Sequence, residues 1–158
     1  MLHIKYSIFI LLFFLSACSI TSYEHSQSKF ITIKTKILKF SDLGYIKNTD
    51  NSVRLELFVA GNNIQNIEIN NLICLNEGCM LRSSFNSEYL SENYPDTILQ
   101  NIVLGKPVYE GKNFKKIGYG FEQKIQNSDV DILYKVSTVE IYFKDIKNKI
   151  LFKIKDIK

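Results

Sequence analysis

The sequence predicts an α+β fold, mainly antiparallel β-sheet with two short central helices packed on one face, and three observations carry that expectation. Segments rich in isoleucine, valine and aromatic residues alternate apolar with polar positions on both sides of the middle of the chain, the period of half-buried strands. Between them, residues 83–105 change to helical spacing. Hydrophobic residues at 46% and charged residues at 23% exclude a disordered chain or a multi-span membrane protein, and leave enough apolar material for one core.

The elements follow in order. Ile31, Ile33, Thr35 and Ile37 share one face of a first strand, with Lys34 and Lys36 on the other. Val53 to Ala60 is a second strand, and the Gly61-Asn62-Asn63 turn leads into a third at Ile64 to Ile69. In Cys74-Leu75-Asn76-Glu77-Gly78-Cys79, a two-residue turn at Asn76-Glu77 sets Leu75 opposite Gly78 and Cys74 opposite Cys79. That rung brings Cα atoms to about 4.5 Å, close enough for a disulfide. An even pair favours that bond over a redox site, and its small loop contributes about 2 kcal/mol.

Ser83 or Ser84 then caps a helix whose Phe85, Tyr89 and Leu90 form a stripe ending near Tyr94. Pro95 and Asp96 open a second, with Ile98, Leu99, Ile102 and Val103 as its apolar face and Gly105 and Pro107 closing it. Downstream, Ile117 to Ile125, Asp131 to Val136, Val139 to Phe143 and Ile150 to Ile157 read as strands, with a bend at Gly118-Tyr119-Gly120 and a turn at Asp145 to Asn148.

The first 18 residues, MLHIKYSIFILLFFLSAC, have a different character. Lys5 supplies a positive start and Ser7 to Leu15 an apolar stretch, the pattern of an export signal. From Ile8 to Ala17 a helix covers about 15 Å, half of a bilayer's roughly 30 Å hydrocarbon core, too short for a permanent span. Residues 1–17 are therefore expected to be the signal, residues 18–29 the modified cysteine and a polar tether, and residues 30–158 a single domain. The tether has a reach of about 15 to 20 Å and contains His25, expected to be a solvated linker residue.

Leu15-Ser16-Ala17-Cys18 resembles the lipobox of bacterial lipoproteins at all four positions. The resemblance implies a diacylglyceryl group on the Cys18 thiol, cleavage just before Cys18, and acylation of the new amino group. No other cofactor is expected. Two or three acyl chains make a stable anchor where one gives only marginal binding. Ser19 and Ile20, in place of an acidic residue after the cysteine, imply delivery to the outer membrane, on its periplasmic face or at the surface. The layout of lipobox, short tether, β-rich domain and central cysteine pair also resembles small lipoproteins of epsilonproteobacteria, a resemblance that lends no activity.

The charge pattern does not indicate a nucleic-acid binder, since the formal net charge is only +4 and Lys5 belongs to the expected signal. Lys149, Lys153 and Lys155 fall on one side of the last strand, opposite Ile150, Phe152 and Ile154. They read as a solvated face or a lysine-protected edge strand, or as a contact for anionic lipid, lipopolysaccharide phosphates or an acidic envelope protein. A Ser-His-Asp or Cys-His set fails for want of a histidine within the domain, and one tether histidine cannot complete a zinc site with the cysteine pair.

The expected function is therefore a non-catalytic, lipid-anchored binding or assembly accessory of the cell envelope. A surface-exposed adhesin or host-interaction protein is the alternative. An envelope hydrolase would have to use paired carboxylates, such as Asp129 with Asp131 or Glu56 with Glu68.

Overall fold

The computed structural model describes residues 25–49 and 52–157. It overturns the α+β expectation: the chain is a mainly β protein. Eleven strands join one sheet in the order β6-β5-β4-β3-β2-β1-β11-β10-β9-β8-β7, every neighbouring pair antiparallel. The first meander comprises β1 (His25–Lys34), β2 (Lys39–Asn48), β3 (Val53–Val59), β4 (Asn62–Ile69), β5 (Ile73–Leu75) and β6 (Gly78–Met80). The second comprises β7 (Phe114–Ile117), β8 (Gly120–Gln126), β9 (Asp131–Val136), β10 (Glu140–Asp145) and β11 (Ile150–Asp156), and its last strand returns to pair with β1.

The helical segment is correspondingly small. α1 (Arg82–Tyr89) and α2 (Ile98–Val103) are eight and six residues long, followed by a 3-10 turn at Tyr109–Gly111. Neither serine caps α1: Leu81 occupies the N-cap position, and Arg82 is held by the Asn70 carbonyl and by Gln100 Oε1 at 2.9 Å. α2 ends as expected after Val103, where the Lys106 N–H reaches back 2.8 Å to the Asn101 carbonyl and the Gly105 N–H 3.2 Å to that of Ile102.

Two boundaries also move. β1 begins at His25, so His25–Lys29, read as tether, pair with Gly44–Asn48 of β2. The Gly118-Tyr119-Gly120 bend is instead a reversal, with Ile117 paired to Gly120 across the β7–β8 turn. Cys18, the signal and the remainder of the tether lie outside the described residues.

A flat sheet of eleven strands would be nearly 50 Å wide at about 4.8 Å per strand, too broad for so few helical residues to cover. Yet one core cluster takes Phe40 from β2, Leu55 from β3, Ile67 from β4, Ile31 from β1, Phe152 from β11, Phe143 from β10, Tyr134 from β9 and Ile125 from β8, together with Phe85 of α1 and Ile98, Leu99 and Ile102 of α2. The sheet therefore curves around the helical segment, as strand twist favours. An aromatic ladder stiffens the second meander: Phe121, Tyr134, Phe143 and Phe152 meet edge to face on successive strands, with centroids 5.4, 5.7 and 6.3 Å apart. Each such contact adds about 0.5–1.5 kcal/mol beyond the area it buries.

Cys74 and Cys79 are joined, with Cα atoms 3.9 Å apart on the rung that the Asn76-Glu77 turn creates. The disulfide closes the β5–β6 hairpin at one edge of the sheet. At the other edge, β7 carries Lys115 and Lys116, charges that discourage pairing with a further strand.

Candidate functional site at the open end of the sheet

Antiparallel pairing gives the sheet two ends. One carries His25, the Gly118-Tyr119 turn, the Ser137–Val139 turn and the end of β11; the other carries the Asp145 to Lys149 turn and the β1–β2 turn. The two ends differ in how they are finished.

At the first end, β1 outruns the core. Ile33 and Ile31 face inward and are buried, so the two-residue period turns Lys29, Gln27 and His25 toward the same side. α2 stops at Val103 and leaves that stretch uncovered. The result is an open groove of about 410 Å³ with Ile46, Val103, Ile141 and Ile154 in its lining and His25, Asn48, Thr138 and Asp156 among its polar residues. An ion pair between Lys29 and Asp156 joins β1 to β11 there. The Ser137 hydroxyl also lines the groove but is engaged locally, accepting the Glu140 N–H at 3.1 Å and lying 3.2 Å from the Glu140 carbonyl. The lining mixes apolar and polar groups. His25, set aside as a linker residue, is one of the groove residues that sequence reasoning missed, and the polar run Ser26 to Ser28 is what hid it.

At the other end, Asp145 is fully buried. Its Oδ2 accepts the Tyr94 hydroxyl and the Asn148 side-chain amide, each at 2.7 Å, and its Oδ1 accepts the backbone N–H groups of Asp131, Lys147 and Asn148 at 3.0–3.2 Å. Burial opposes the charge, but the hydrogen bonds from Asn148, Tyr94 and the Asp131 and Asn148 backbone outweigh it and hold the carboxyl below its ordinary 3.8. Burial, then hydrogen bonding to Asp145, pushes the Tyr94 phenol far upward. Burial, then the charges of Asp145 and Asp129, pushes Tyr109 up to about 12. This carboxylate ties the helical segment to two hairpins, and its acceptor sites are occupied by the fold itself.

The carboxylates singled out from sequence are placed otherwise. Glu56 pairs with Lys47 at 2.8 Å and Glu68 with Arg54, both on the outer side of the sheet. Asp129 accepts the Ser128 hydroxyl at 2.9 Å in an exposed turn. Among the described residues, no three of His, Cys, Asp and Glu group as a metal site, and no helix is long and apolar enough to cross a membrane.

The three lysines do not form one site. β11 lies between β1 and β10, so it is a central strand and the edge-strand reading fails. Lys155 and Lys153 flank Glu140 at 3.2 and 4.0 Å on the outer face. Lys149 sits in the turn at the Asp145 end, about 13 Å from Lys153 and about 20 Å from Lys155 along the strand. No family model, curated protein or solved structure matches the chain.

Proposed function

We infer that the protein is a bacterial envelope lipoprotein, anchored through acylated Cys18 at the outer membrane, whose β domain acts as a binding or assembly accessory and not as an enzyme. The observation that carries this reading is the Leu15-Ser16-Ala17-Cys18 sequence at the end of an apolar run too short to span a bilayer. Two features support it. The Cys74–Cys79 disulfide suits an oxidising compartment outside the cytoplasm. The open groove next to His25 gives a binding domain a recess whose lining combines apolar and polar groups. Its partner is an envelope protein or an anionic lipid.

The test is a Cys18→Ala variant grown with labelled palmitate. The parent chain takes up label and runs at the size of residues 18–158; the variant takes up none and keeps the full-length size. Equal labelling of the two chains would remove Cys18 as the lipid site.

A further inference from the structure

The sheet end that begins at His25 also carries a run of apolar side chains on its turns. Tyr119 is 96% exposed, Val139 61%, Ile117 51% and Ile157 47%. They are neighbours. Ile117 and Val139 line one shallow hollow, the Asp156 N–H donates to the Val139 carbonyl at 3.1 Å and so brings Ile157 beside it, and the Gly120 backbone lies against Val136 and Ser137. A Cβ on Gly120 would stand 1.9 Å from the Val136 carbonyl oxygen, so the turn is seated hard on β9 and Tyr119 is held outward at its tip. A phenol on a projecting turn with aliphatic neighbours matches the chemistry of a bilayer interface, where an apolar ring sits among acyl chains and its hydroxyl among headgroups.

The covalent chain decides the occupant. Cys18 precedes His25 by seven residues, which span at most about 25 Å in any conformation. The ten residues of β1 then carry the sheet about 33 Å away from that point. An acylated Cys18 thus keeps the His25 end within about 25 Å of the membrane surface and lets the Asp145 end stand up to about 33 Å further off. We propose that the turns bearing Tyr119 and Val139, with Ile157 beside them, rest on the phospholipid bilayer and orient the domain upright, so that the groove opens toward the membrane. The proposal depends on acylation of Cys18 and adds to it a defined lipid-facing surface.

The chain contains no tryptophan, so one introduced indole reports on its own position. The acylated protein is prepared as Tyr119→Trp, Val139→Trp and Ile146→Trp variants, the last at the opposite end on a side chain 59% exposed. Each is reconstituted into phosphatidylethanolamine–phosphatidylglycerol vesicles with brominated acyl chains. Tyr119→Trp and Val139→Trp should show blue-shifted emission, quenched severalfold by bromine, while Ile146→Trp stays unquenched. Quenching of Ile146→Trp equal to that of Tyr119→Trp would overturn the upright orientation. Vesicle flotation without quenching at any position would overturn the lipid contact and leave the anchor standing. Failure of the parent chain to float would overturn the anchor, and the contact with it.

Discussion

The Asp145 carboxylate receives five hydrogen bonds in a place without solvent contact, from Tyr94, Asn148 and three backbone N–H groups. A charge so placed stabilises the fold only while it is ionised. Its folded pKa lies below the ordinary 3.8, so the unfolded chain binds the proton at higher pH than the folded one. The contribution is therefore complete above about pH 4 and is lost as the pH falls through the folded value. Asp145→Asn should cost about 2–3 kcal/mol at neutral pH in urea unfolding, because one amide hydrogen-bonding position then meets a donor with a donor. The variant should also lose less stability than the parent between about pH 5 and pH 2. An unchanged acid limb would mean that another carboxylate controls acid unfolding. Nothing in the sequence distinguishes Asp145 from its neighbours, since its burial depends on Tyr94, distant in the chain and brought there by the loop after α1.

Among the strands, β2 shows where alternation misleads. Its inward positions are Phe40, Asp42, Gly44 and Ile46, only two of them large and apolar, so the segment gives no clear period-two signal. Gly44 is there for space: a Cβ would stand 2.7 Å from Ile31 Cδ1 and 2.8 Å from the Glu56 carbonyl oxygen. Gly44→Ala should cost about 1–3 kcal/mol in thermal or urea unfolding, by pushing β1 and β3 away from β2. A loss under about 0.5 kcal/mol would show that Ile31 repacks freely. By contrast β11, with Ile150, Phe152 and Ile154 buried in strict alternation, and the cysteine hairpin, with its two-residue turn, were legible because local pattern alone determines them. α1 and α2 were legible as short elements, yet the curvature of the sheet around them was not. That curvature brings together β1 and β11, which lie far apart in the chain.

The molecule as a whole is asymmetric along its strands. One end is closed by the Asp145 hydrogen bonds, and the other is open, with the groove at the start of β1 and the exposed Tyr119 turn further along the same end of the sheet. The closed end anchors the helical segment; the open end offers surface. That division suits a domain attached by a short chain at its open end, with recognition and attachment on the same side. The proposed attachment to the envelope depends on Cys18. Intact-mass spectrometry of the protein extracted from its own membranes measures that dependence directly. The expected result is a chain beginning at Cys18 whose mass exceeds that of residues 18–158 by a diacylglyceryl group and an acyl chain. A chain that retains Met1, or one that begins elsewhere with Cys18 unmodified, would contradict it.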